Sequence, residues 1–160
     1  RIIDTAQKET RPSGDGLVLT DRLAAKLDVR VGDVVQVEVL ESPSLFLRDL
    51  AGMRAPIAVA HGEGFANFQY RGKADQAIAA MRFVDHHGAA TEQYPFNPNG
   101  STGGLTAVTT ADGRFTAMMP HPERVFRNVQ MSWTDLAGTG GLDAASPWMR
   151  LWRNARRWVG

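Results

Sequence analysis

Two side chains with the means to move a proton stand two residues apart in Met118-Met119-Pro120-His121-Pro122-Glu123-Arg124. Proline fixes its own φ and keeps the residue before it out of the helical region, so Pro120 and Pro122 are expected to hold this segment straight. Residues i and i+2 of an extended segment point to the same side, which would project His121 and Glu123 together from a strand end. A carboxylate on one ring nitrogen fixes the imidazole tautomer and raises its basicity, and the other nitrogen can then exchange a proton with a reacting group. The same residues also suit a kinked surface loop in which both side chains are merely solvated.

Other residues compete for a chemical role. His61-Gly62-Glu63-Gly64 follows the apolar run Ala55-Pro56-Ile57-Ala58-Val59-Ala60. Glycines flanking Glu63 permit positive φ and close approach to a ligand, and loops at strand ends are where α/β sites are built. A tight turn with exposed polar residues explains that spacing equally well. The pair His86-His87 raises a metal reading, but adjacent strand residues point to opposite faces and no zinc-type spacing accompanies them, so no metal site is expected. Cysteine is absent from all 160 residues, which removes disulfides, thiolate metal ligands and any thiol nucleophile.

Composition bounds the rest. With 43% hydrophobic residues the chain can bury one core of ordinary size. Eighteen basic residues against seventeen acidic ones give a net charge of +1, which provides no global attraction to nucleic acid or anionic membrane, and neither partner is expected. The sequence shows neither a long apolar span nor an apolar segment behind a basic amino terminus. It begins at Arg1 rather than Met, and a piece of a longer protein is expected.

Pro12 to Gly16 marks a loop, Leu17-Val18-Leu19 a short strand, and Thr20 an N-cap before a helix bearing Leu23, Ala24 and Leu27. Val34 to Leu40 alternates as a half-buried strand. Ser42-Pro43-Ser44 can open a short helix with Leu45, Phe46 and Leu50 buried, and residues 55–60 read as a buried strand. Lys73 to Ala80 is read as a short helix and Met81 to Asp85 as a strand. Tyr94 to Ser101 is a loop with a tight-turn signal at Asn99-Gly100. Leu105 to Thr110 and Arg114 to Met119 form a hairpin that delivers His121 to a strand edge. Ser146 and Pro147 start a final helix with Trp148, Leu151, Trp152, Ala155 and Val159 on its apolar face and Arg150, Arg153, Arg156 and Arg157 elsewhere.

Four motifs occur in one order: His61-Gly62-Glu63-Gly64; Tyr94-Pro95 with Asn97-Pro98-Asn99-Gly100-Ser101; Met118 to Arg124 followed by Val125-Phe126-Arg127; and Pro147-Trp148-Met149-Arg150 with Arg153-Asn154-Ala155-Arg156. Over residues 42–160 they resemble the end of the glutaminase domain of phosphoribosylformylglycinamidine synthase in its large single-chain form. The resemblance implies part of a class I glutamine amidotransferase sheet, an α/β flavodoxin-like fold, with a small strand–helix–strand unit in front. It also implies a cytoplasmic ligase of purine biosynthesis. Ammonia freed from glutamine would pass to an ATP-dependent synthetase domain of the same enzyme, which converts formylglycinamide ribonucleotide to the amidine. ATP and Mg would belong to that domain, and no cofactor is implied for this chain.

Residue by residue, His121 and Glu123 match the family's catalytic histidine and glutamate, and His61, Gly62 and Glu63 match a segment beside the glutamine pocket. The family usually has arginine where Phe65 stands. Its nucleophilic cysteine has no counterpart. Residues 1–41 instead resemble a fragment of the extracytoplasmic core domain of certain transporter permeases. A boundary near Glu41 is therefore expected, and the chain alone should be inactive, with exposed apolar surface. The alternatives are a non-catalytic binding or scaffold module and a transporter-permease-associated domain.

Overall fold

The computed structural model of the chain describes residues 35–59, 64–70, 72–131 and 140–160. The strand expected at Leu17 and the helix behind Thr20 lie outside them. The described part is organised by a sheet of five strands, β1 (Gln36–Val39), β2 (Arg54–Pro56), β3 (Ile78–Val84), β4 (Leu105–Thr109) and β5 (Thr116–Met118). Their order is β2-β1-β3-β4-β5, with every neighbouring pair antiparallel. One α-helix, α1 (Arg150–Val159), follows at the carboxyl end. The sheet and its helix form part of an α/β fold, as expected.

The valine alternation of β1 explains its place. Val37 and Val39 are buried on one face, while Gln36 and Glu38 take the other. The buried face continues through Ala55, Met81, Phe83 and Ala107 and closes against Leu47, Leu50, Val125, Trp148 and Leu151. Trp148 is the largest fully buried side chain, and its indole N–H donates to the Pro56 carbonyl at 2.9 Å, so the ring is desolvated without leaving its polar end unpaired. On the opposite face Glu38 stands between the cross-strand neighbours Arg54 and Arg82, with contacts of 3.0 and 2.7 Å. Burial pushes the Glu38 carboxyl up, but the hydrogen bonds and charges of the two arginines outweigh it and hold it below the ordinary value.

The hairpin that leads to His121 is where the alternating residues put it. Its turn requires Gly113, which has a φ of +69° and lies so close to the Pro43 carbonyl that no Cβ could fit. The Gly113 carbonyl in turn accepts from the Leu45 N–H at 2.9 Å.

Several elements differ from the sequence reading. Only Ala74–Gln76 forms a helical turn in the expected helix of residues 73–80, and Ile78 already begins β3. Alanine-rich sequence favours helix locally, but Ile78 and Ala79 pair with Thr109 and Val108 of β4, and ladder pairing prevails. Residues 42–50 make turns rather than a helix, with Ser44 Oγ accepting from the Leu47 N–H at 3.3 Å. Leu45 and Leu50 are buried there, and Phe46 only partly. The strand expected through residue 60 reaches Pro56, with one further bridge from Ala58. The boundary expected near Glu41 does not part β1 from this sheet, because Gln36–Val39 pairs on both sides with strands that lie beyond it.

Candidate functional site

His121 sits just past β5, where its own N–H donates to the Ala58 carbonyl at 2.8 Å. Before it, the Met119 N–H donates to the Thr106 carbonyl at 3.2 Å, which ties the exit of β5 to β4. These bonds fix the backbone of His121 between two segments distant in sequence. Behind it, Pro122–Arg124 is a single 3-10 turn with proline at its first position. The expected straight segment therefore ends at His121, and the pair meets across the entry to a turn rather than through strand alternation. His121 Nδ1 lies 2.8 Å from Glu123 Oε1.

The turn is held from below. Pro122 and Val125 are buried, the Ser146 hydroxyl donates to the Val125 carbonyl, and the Ser146 N–H donates to the Phe126 carbonyl at 2.8 Å. Ser146 also accepts from the Trp148 N–H at 3.2 Å, which makes one residue both the cap of the carboxyl-terminal helical segment and the fastener of the His121 turn. The dyad faces solvent more than the core does, with side-chain exposures of 31% for His121 and 55% for Glu123. Partial burial pushes the Glu123 carboxyl up, but its own backbone N–H, the His121 ring and Arg124 together hold it below the ordinary glutamate value. Glu123 is therefore an anion at neutral pH, and an anion on Nδ1 favours the tautomer with the proton there. Arg124 Nε lies 3.9 Å from the same oxygen.

His61, Gly62 and Glu63 lie outside the described residues. The chain on either side of them is anchored: Ala58 by its bond to His121, and Gly64 by Asn99, whose side-chain amide donates to the Gly64 carbonyl at 3.1 Å. Ser101 Oγ accepts from the Ala66 N–H at 2.9 Å. Asn97, also buried, donates to the carbonyls of Thr91 and Ser101 at 3.0 and 2.9 Å. The sequence marks Asn97, Asn99 and Ser101 as part of a turn and of a family motif, and neither signal specifies the backbone groups that they bind. Phe65 is 51% exposed. The two histidines lie in the turn after β3, His86 standing edge-on to Phe96 with ring centroids 4.6 Å apart, while the His87 backbone N–H donates to Asp85 Oδ1 at 2.8 Å.

The arrangement sets an imidazole against a carboxylate on a fixed backbone frame, a pairing with the chemistry of a base and its orienting acid, and the sequence contains no thiol to act beside them. Comparison with known proteins bears on where such a half-site belongs. A family model of the CobB/CobQ-like glutamine amidotransferase domain matches residues 25–159. Among solved structures, PurLQS from Thermotoga maritima is similar, with a TM-score of 0.51 and 21% identity over 80% of this chain. The chain spans 47% of that relative's length, and the likeness is one of fold.

Proposed function

The chain belongs to the CobB/CobQ-like glutamine amidotransferase domain family, and from that premise we propose that residues 42–160 are the carboxyl-terminal part of the glutaminase domain of a phosphoribosylformylglycinamidine synthase. The observation that supports this most directly is the 2.8 Å contact between His121 Nδ1 and Glu123 Oε1. In the proposed reaction a thiolate from outside this sequence attacks the side-chain amide carbon of glutamine. The carbon–nitrogen bond breaks as His121 delivers a proton to the departing ammonia, and water then cleaves the thioester with His121 as base. Glu123 keeps the imidazole oriented and stabilises it while it carries the extra proton. His61, Gly62 and Glu63 would line the glutamine pocket. Ammonia would pass to a synthetase domain, the partner that holds ATP and Mg in a cytoplasmic enzyme of purine biosynthesis.

The lack of cysteine favours a chain that is inactive alone. Serine attack needs a sharp nucleophile elbow with an oxyanion hole around it, and neither Ser101 nor Ser132 lies in such a sequence. A binding or scaffold module is the second reading that the same absence favours. Ammonia release from glutamine tests both. The present chain should release none, a chimera in which a family cysteine-bearing segment replaces residues 1–34 and leaves β1 in place should release it, and His121→Ala in that chimera should abolish it. Glutaminase activity from the cysteine-free chain would overturn the assignment of roles.

A further inference from the structure

The outer face of α1 carries a cluster that neither the sheet nor the His121 turn uses. Leu151 and Asn154 turn inward, and the Asn154 amide donates to the carbonyls of Phe46 and Arg48 at 2.9 and 2.7 Å. Trp152, Arg153, Arg156 and Arg157 face out. Residues four apart stack into ridges along a helix, so Trp152 with Arg156 and Arg153 with Arg157 form two neighbouring rows. The shallow open groove lined by these four side chains has a volume of about 400 Å³. Arg150 is engaged by Asp49 at 3.0 Å, whereas among the described residues no carboxylate pairs with Arg153, Arg156 or Arg157. Arg156 donates to the carbonyl of Gly160.

The concentration of charge is local, since the whole chain carries only +1. Trp152 keeps 41% of its surface exposed beside these guanidinium groups, and tryptophan with arginine is the composition that dominates binding energy at protein interfaces. We propose that this groove docks a helix of a partner protein whose facing side carries carboxylates at i and i+4 next to an apolar anchor. The ridge spacing of α1 is matched by the side-chain rows of another helix, with carboxylates meeting the arginines and the anchor covering Trp152. A single-stranded nucleic acid fits less well, because stacking asks for successive open aromatic faces. The Arg114 guanidinium already stands 5.4 Å from the ring centroid of Trp158, the other exposed tryptophan of α1. Docking at this groove requires nothing of the glutaminase reading.

The test is a fluorescence-anisotropy titration of the 160-residue chain with labelled helical peptides of about twenty residues. One peptide has glutamates at i and i+4 on a leucine-bearing face, a second has the same composition with its acids moved to the opposite face, and an oligouridylate is the third probe. The first should bind best, and its affinity should fall as salt is raised. Arg153→Glu with Arg156→Glu, and separately Trp152→Ala, should each weaken it by about tenfold or more. Arg153→Gln provides a milder second variant, and circular dichroism reports whether each variant stays folded. Equal binding of the second peptide, tighter binding of the oligouridylate, or an affinity indifferent to all three variants would overturn the proposal.

Discussion

Behind the sheet, Val37, Met81, Phe83 and Trp148 are wholly removed from water, while at the edge of the same sheet His121 and Glu123 keep 31% and 55% of their side chains exposed. The residues that hold the fold and those proposed for the chemistry are thus different. The burial of the first group fixes where the second can stand, through Ser146, which caps the Trp148 segment and bonds to the backbone just after the His121 turn. The dyad itself contributes little to stability, because an exposed ion pair is screened by solvent. Substitutions should therefore separate the two regions cleanly.

Trp148→Ala should have the largest effect. It empties a fully buried site and leaves the Pro56 carbonyl without its donor, and a loss of about 3–5 kcal/mol is expected in denaturant unfolding. Ser146→Ala should cost about 1–2 kcal/mol by the same measurement. It should also disturb the amide signals of His121 and Glu123, because Ser146 is the link between the regions. A variant that loses stability while those signals stay unmoved would break the comparison.

Acid should act through the carboxylates. Glu38 and Glu123 both have folded values lowered from the ordinary 4.5, so their contribution is fully present above 4.5 and is lost as pH falls through the lower folded values. Unfolding free energies followed downward from neutral pH should show that loss. Glu38→Gln should flatten it by about 1 kcal/mol, since solvent screens both arginine partners. Glu123→Gln should change stability least, by less than about 0.5 kcal/mol.

The site was more legible in the sequence than the sheet around it. Pro120, Pro122 and the two-residue spacing brought His121 and Glu123 together, although Pro122 opens a turn instead of prolonging an extended segment. The β4–β5 hairpin was readable because its alternation and its Ala111-Asp112-Gly113 turn are local signals. The amino-terminal half of β3 was hidden, because Ala77 to Ala80 has helical propensity and its partners on β4, Thr109 and Val108, make it a strand. The carboxyl-terminal helix was legible as a helix but not in its orientation. Trp152 and Val159, assigned to the apolar face, are exposed, and Asn154 is buried because its amide satisfies two carbonyls of the turn at residues 46–49. The roles of Asn99 and Ser101 were out of reach, since each acts on backbone 35 residues away.

Nitrogen-15 NMR of the His121 ring tests, in the present chain, whether Glu123 holds His121 as an oriented base. In the neutral ring the proton should reside on Nδ1, with Nε2 unprotonated, and Glu123→Gln should shift the ring toward the other tautomer while the fold stays intact. A ring with its proton on Nε2 in the unaltered chain, or one insensitive to Glu123→Gln, would contradict the account.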